Sequence, residues 1–373
     1  MKNRYVTKLR MPLVYDKLMS GLVEGHHVGF QLYVEMGGTV LANIAEGYAR
    51  PEIPIENDSL MLWLSSGKPI TAVAVGQQTE KGTLDLDTPV IHYLPEFAQG
   101  GKQDITIHHL LTHTGGFRAA SIQWSGMNWA EIIGTICRAR LEPGWVPGEK
   151  AGYHLATSWF ILAELVRLSD GRPFSQYVRE EIFERLGMSH SWIGMPSERY
   201  RSYGDRLGQM QNTSSGLVVP YPNDAEERGY TQCNPGSNAR GSMKDLGQFY
   251  RMLLHGGTHH GVQILQPDTV SHLTTRQRIG MVDLTFRHIM DWRLGTMINS
   301  SRYGADTVPY GFGDYASEDT FGHAGSESST AFADPRHDLV VCWVCNGRPG
   351  TQVHHVRNRA INNAIYEDLQ LMA

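Results

Sequence analysis

The chain has 373 residues with 38 acidic and 33 basic side chains, a formal charge of −5, and a hydrophobic share of 41%. That balance fits a soluble globular protein, and without a Lys/Arg-rich run it gives no reason to expect a nucleic-acid partner. No segment approaches the roughly 18 apolar residues of a membrane helix. The start, Met1-Lys2-Asn3-Arg4-Tyr5, has no apolar stretch of signal-peptide length behind it, so a cytoplasmic location without membrane association is expected.

The length suits two or three domains, or one large α/β unit with an insertion. Residues 11–24 read as a helix. Segments 30–34 and 40–45 read as a hairpin around Gly37-Gly38. The stretch from about 70 to 255 is mostly helical pattern broken by Gly/Pro loops, with the clearest helices at 157–168, 174–185 and 243–254. Strands return at 329–333 and 339–344, turning at Asp334-Pro335, and a helix at 353–371 closes the chain. The expected fold is therefore α/β, of α+β type: an antiparallel sheet built from both termini (1–80 and 260–373), flanked by helices. A mainly helical domain (81–259) is inserted, and the active site is expected in the cleft between the two.

Four cysteines, Cys137, Cys233, Cys342 and Cys345, are scattered. Cys342-Trp343-Val344-Cys345 is a C-x-x-C lying in a strand pattern. With no second pair at zinc spacing, buried strand thiols are expected rather than a metal or redox site.

The most informative segment is Ser65-Ser66-Gly67-Lys68, approached by Leu60, Met61, Leu62, Trp63 and Leu64 and followed by Pro69-Ile70-Thr71-Ala72-Val73. Pro69 suits a first helical turn, where its missing N–H costs nothing. A serine three residues before a lysine then shares its helical face, beside the free N–H groups of a helix start. Ser-x-x-Lys alone is common on solvated helices. Here the apolar flanks would desolvate Lys68 and lower its pKa, which suits it to activating a serine.

Several further segments, in order, make the chain resemble the serine β-lactamase-like superfamily of class C β-lactamases, D-alanyl-D-alanine peptidases, family VIII carboxylesterases and transesterases. They are Ile105-Thr106-Ile107-His108-His109-Leu110-Leu111-Thr112-His113-Thr114-Gly115-Gly116-Phe117, Pro147-Gly148 before Tyr153, Asp170-Gly171-Arg172-Pro173-Phe174, Ile182 to Met188, and Phe321-Gly322-His323-Ala324-Gly325. The resemblance implies Ser65 as nucleophile, Lys68 as its partner base and Tyr153 as the tyrosine of Tyr-x-Asn. His323-Ala324-Gly325 falls at the Lys-Thr-Gly position, and the oxyanion would be held by the backbone N–H groups of Ser65 and Ser326. Lysine and tyrosine both titrate near 10 in water, so both must be shifted. Burial is expected to lower Lys68 and a nearby cation to lower Tyr153, and the base is left open between them.

One departure matters. Tyr-x-Asn reads Tyr153-His154-Leu155, so the amide that would hold a substrate's acylamide is replaced by an apolar side chain. A histidine in place of the Lys of Lys-Thr-Gly also removes a fixed cation, since His323 is neutral much of the time at pH 7. Both favour an ester or another apolar acyl group. Leu155, Trp124 and Trp145 are the candidate substrate-pocket residues, although core packing is the commoner role of tryptophan. His109 and His113 are spaced i, i+4 without the Glu of His-Glu-x-x-His, and read as structural.

The expectation is a serine esterase or acyltransferase with an acyl-enzyme on Ser65, no metal or organic cofactor, a small-molecule ester or acyl substrate and a possible alcohol or amine acceptor. The alternatives are a D-amino-acid peptidase, amidase or weak β-lactamase, and a catalytically silent ligand-binding relative. Oligomeric state is not legible.

Overall fold

The hairpin expected around Gly37-Gly38 forms because both glycines adopt positive φ, 55° and 75°, which a tight two-residue turn between twisted strands requires. It joins β1 (Gly29–Met36) to β2 (Thr39–Arg50), with Met36 facing Thr39. The computed structural model describes residues 10–224 and 226–372. The N-terminal residues on which the signal-peptide expectation rests lie outside them.

Chain end and chain start meet in one seven-stranded sheet. After β3 (Ile53–Pro54), its strands are β4 (Met297–Ile298), β5 (Phe321–Gly325), β6 (Ser329–Asp334) and β7 (Leu339–Cys345), in the spatial order β4-β5-β6-β7-β1-β2-β3. Every pairing is antiparallel, and β7 lies beside β1 with Trp343 opposite Leu32. The expected α/β fold with a sheet from both termini is thus the observed one.

Side chains alternate across this sheet. Phe30, Leu32, Val34, Val341, Trp343 and Cys345 face a core closed by α1 (Pro12–Val23) and by the C-terminal helix Thr351–Asp368. Tyr33, Val340, Cys342 and Val344 face the opposite core. Cys342 and Cys345 therefore sit on opposite faces, buried and unbridged.

The second core holds α2 (Lys68–Glu80), with Pro69 in its first turn, packed on α3 (Thr157–Asp170). Residues Lys68 to Gln78 of α2 are buried all round, as befits a helix between two layers. The helix α4 (Met243–Leu254) comes from the stretch expected to be the helical insert, yet it packs on β1, β6 and β7, so the sheet layer takes an element from within 81–259. The single helix expected at 174–185 is divided. Phe174–Val178 is α-helical and Arg179–Phe183 widens to a π turn. There Arg172 binds Glu180 at 2.6 Å and Glu181 at 2.9 Å, successive residues that an α-helix would splay apart.

Among the described residues no helix is long and apolar enough to cross a membrane.

Candidate active site

Ser65 sits in a 3-10 turn, Leu64–Gly67, that runs straight into α2. Leu64, just before it, holds a left-handed backbone with φ 50°, an uncommon conformation that turns the serine out of the chain's path. The turn is lashed to the sheet. Ser66 Oγ donates to His323 O at 3.0 Å and Ser329 Oγ donates to Trp63 O at 2.7 Å, while the two hydroxyls lie 3.0 Å apart. Gly325 makes the approach possible. A Cβ there would lie 2.3 Å from Ser329 Oγ and 2.6 Å from Trp63 O.

Lys68 follows one helical turn later, with 0% exposure. Its Nζ lies 2.9 Å from Ser65 Oγ, 3.0 Å from Leu155 O and 2.6 Å from Gly236 O. Burial holds its pKa well below the usual lysine range. A neutral amine has two N–H donors and one lone pair. The two carbonyls take the donors, which leaves the lone pair for the Ser65 hydroxyl proton.

Tyr153 reaches the same oxygen, its hydroxyl donating to Ser65 Oγ at 3.0 Å. Burial pushes its pKa up, and the Ser65 hydrogen bond opposes this less strongly. The expectation that a cation would lower it is not met: burial outweighs the contacts around the hydroxyl and favours its protonated form. Its backbone is fixed by residues that no sequence pattern announced. Asp283 Oδ1 accepts Tyr153 N–H at 3.0 Å, and Thr285 Oγ1 donates to Tyr153 O at 3.0 Å. Asp283 is in turn paired with the buried Arg278 at 3.0 Å.

A cavity of about 350 Å³ opens on Ser65. One wall is apolar, with Leu64, Trp124 and Leu155; another carries Ser326 and Arg348. Its polar lining includes Asp224 and Arg240, which form a buried ion pair. Arg348 stacks on Tyr221 and donates to Ser326 Oγ at 3.3 Å. Leu155 is 69% exposed, so its side chain stands at the mouth while its carbonyl holds Lys68. The N–H groups of Ser65 and Ser326 find no acceptor among the described residues, and both residues line this space.

Three expected site residues lie elsewhere. Trp145 is not in this cavity: it is buried, its Nε1 donates to Thr114 O at 2.9 Å, and Arg118 stacks on it, so its polar end is satisfied in the core. His323 and Gly325 lie behind the cavity wall. His323 is 2% exposed, packs 5.8 Å from the Tyr153 ring and 5.6 Å from Trp292, and has its pKa lowered to about 3 by burial, with Lys68 adding to the shift. Its ring therefore supplies no cation. His109 caps its own helix, its Nδ1 accepting Thr106 N–H at 3.1 Å.

A larger cavity, about 1040 Å³, lies between the helices Trp129–Arg138 and α3 and does not touch Ser65. Its buried acid, Glu164, is fully engaged by Trp129 and Arg167. Ser65, approached from the interior by Lys68 and Tyr153, lines the smaller cavity and not the larger one.

A model of the family described as Beta-lactamase matches residues 15–365. The chain belongs to that family. It is 30% identical to Esterase EstB of Burkholderia gladioli over 237 residues, 57% of this chain and 59% of EstB, so it spans about three fifths of that relative. A penicillin-binding protein homologue from Caulobacter crescentus superposes with a TM-score of 0.79 at 24% identity, covering 96% of this chain and 97% of its own. A family VIII carboxylesterase does so with a TM-score of 0.79 at 23% identity, covering 96% and 97%. At these identities the structures establish the shared fold. The family is one of serine enzymes, with the esterase EstB and an acyltransferase, calJ of Penicillium decumbens, among the relatives.

Proposed function

We propose that this protein forms an acyl-enzyme on Ser65 and acts on a small ester or activated acyl compound, releasing the acyl group to water or to an alcohol or amine. The observation that carries this reading is the double approach to one oxygen: Lys68 Nζ at 2.9 Å and Tyr153 hydroxyl at 3.0 Å from Ser65 Oγ. The remaining lysine donors are already spent on two carbonyls.

In this scheme Ser65 Oγ attacks the carbonyl carbon and its proton passes to the lone pair of Lys68 Nζ. The oxyanion is held by the N–H groups of Ser65 and Ser326, each worth roughly 3–4 kcal/mol in such a site. Collapse breaks the bond to the leaving oxygen, which takes a proton from the Lys68–Tyr153 pair. The acceptor then enters by the reverse sequence, giving up its proton to Lys68 as it attacks.

Two features favour an ester over a peptide or β-lactam. Leu155 brings an apolar side chain where an amide would hold an acylamide, and the neutral His323 offers no fixed charge at its position. EstB, the esterase relative, points the same way.

The test is intact-mass spectrometry of wild type and Ser65→Ala with p-nitrophenyl butyrate, nitrocefin, a D-Ala-D-Ala peptide and a fluorophosphonate, with turnover followed in parallel. A Ser65-dependent adduct and a kcat/KM for the ester above that for nitrocefin or peptide are expected. Full ester turnover by Ser65→Ala would overturn the mechanism. A higher kcat/KM on the peptide or nitrocefin would move the substrate class. Binding without any adduct would indicate a silent relative.

A further inference from the structure

Tyr153 is bracketed by a single residue. The N–H of Gly152, just before it, donates to His113 O at 3.0 Å. The N–H of His154, just after it, donates to His113 Nδ1 at 3.0 Å. The imidazole also lies against the tyrosine ring, with centroids 4.7 Å apart. His113 is fully buried and holds a left-handed backbone, φ 58°, which a non-glycine residue keeps only when its surroundings fix it. Here the next residue is tied back, Thr114 N donating to His109 O at 2.9 Å.

We propose that His113 is a positioning residue of the acyl-transfer site: its carbonyl and its Nδ1 fix the backbone on both sides of Tyr153 and so set the tyrosine hydroxyl against Ser65. The inference rests on the roles given to Ser65 and Tyr153 above. It goes beyond the structural reading of His113 as a turn residue, because both contacts end on the tyrosine that reaches the reacting oxygen.

The chemistry requires one tautomer. Nδ1 accepts, so the proton sits on Nε2. That nitrogen has no acceptor among the described residues and is enclosed by rings, Trp292 at 4.5 Å and Trp159 at 5.7 Å. Protonation would convert Nδ1 into a donor aimed at another donor. Burial opposes it first, and the Arg278 guanidinium, with any charge on His154, Lys68 or His323, opposes it further. His113 is thus a permanent acceptor.

Two near-isosteric variants separate this role from simple packing. Asparagine places its Oδ1 near the Nδ1 position and tolerates left-handed backbone, whereas glutamine carries its carbonyl out toward the Nε2 position. His113→Asn is expected to keep kcat/KM for p-nitrophenyl butyrate within about threefold of wild type, and His113→Gln to lose at least about tenfold, with KM little changed. In the glutamine variant the acid limb of the kcat/KM profile should also move up by about half a pH unit, because a displaced Tyr153 admits water to Lys68. If His113→Gln does not fold, His113→Ala, which removes the acceptor without adding bulk, carries the same expectation. Equal losses in the asparagine and acceptor-free variants, or a loss that follows the thermal midpoint while the acid limb stays put, would overturn the inference. Ser65→Ala is run alongside. Full turnover there fails the underlying reading, whereas inactive Ser65→Ala with indistinguishable His113 variants fails this inference alone.

Discussion

At the scale of residues, two groups that titrate alike in water are driven apart by burial. Lys68 and Tyr153 both lie in the interior, and desolvation disfavours the charged form of each, so the lysine is pushed down and the tyrosine up. In the proposed scheme this divides the labour on one serine oxygen, with Lys68 as base and Tyr153 as donor. The pH dependence follows. kcat/KM should rise as pH rises through the lysine's pKa and level off well below the ordinary lysine range near 10.4. Lys68→Arg, which keeps a cation that cannot act as a base, should lose on the order of a thousandfold in kcat/KM. Tyr153→Phe, which keeps the base, should lose less, about a hundredfold. An acid limb above pH ~9, or a Lys68→Arg enzyme within tenfold of wild type, would show that Lys68 is not the base.

At the scale of elements, the site depends on a turn docked into a sheet. The turn Leu64–Gly67 that carries Ser65 meets β5 and β6 through Ser66, Ser329 and the bare backbone of Gly325. Gly325→Ala has no room to relax, since its Cβ would meet Trp63 O at 2.6 Å and Leu64 Cβ at 2.9 Å as well as a side-chain hydroxyl. Pushing the turn off the strand should destabilise the fold by about 1–3 kcal/mol and displace Ser65 from Lys68. Calorimetry and ester kcat check it together, and an unchanged kcat with a lowered midpoint would separate the turn's docking from its chemistry. What was legible in the sequence divides along the same line. The relation of Ser65 to Lys68 is local, one helical turn, and Pro69 marks where that helix begins. The antiparallel sheet was legible too, because short apolar runs recur near both ends of the chain and turn at Gly37-Gly38 and Asp334-Pro335. The clamp on Tyr153 was not: Asp283 lies 130 positions away and carries no pattern of its own. Trp145 was assigned to the pocket because a tryptophan's composition does not tell which way its N–H points; Thr114 O decides that, and only folding brings it there. The π turn at Arg179–Phe183 similarly depends on Arg172 gathering two adjacent glutamates, a tertiary contact imposed on a helical pattern.

At the scale of the whole molecule, the interior is unusually committed to neutral imidazoles. His27, His154 and His323 have pKa values lowered to about 3, and His113 and His354 are held well below their usual value. Burial is the first cause in every case. Arginines add to it at four of them: Arg357 at His27 and His354, Arg278 at His113 and Arg118 at His154. In the unfolded chain each would titrate near 6.5. Because the folded pKa values are the lower ones, the unfolded state binds more protons as pH falls. The stability from these histidines is therefore present above about pH 6.5 and is lost on descending toward pH 3. Each histidine in that window removes more than 1 kcal/mol per pH unit, set against a total stability of roughly 5–15 kcal/mol. Asp245 and Asp368, whose carboxyls burial pushes up, act in the opposite sense, but they are fewer than the histidines. The thermal midpoint should already decline between about pH 9 and 7, where the buried Lys68 and Lys102 take up protons only on unfolding, and should fall more steeply between about pH 6.5 and 5 as the histidines join them. Loss of activity on acidification should accordingly be of two kinds, a reversible one from protonating Lys68 and a cooperative one from unfolding, separable by jumping back to neutral pH after brief exposure. A midpoint that holds steady down to pH ~4 would mean that these imidazoles find proton acceptors or water in solution, and that the interior is less dry than its packing implies.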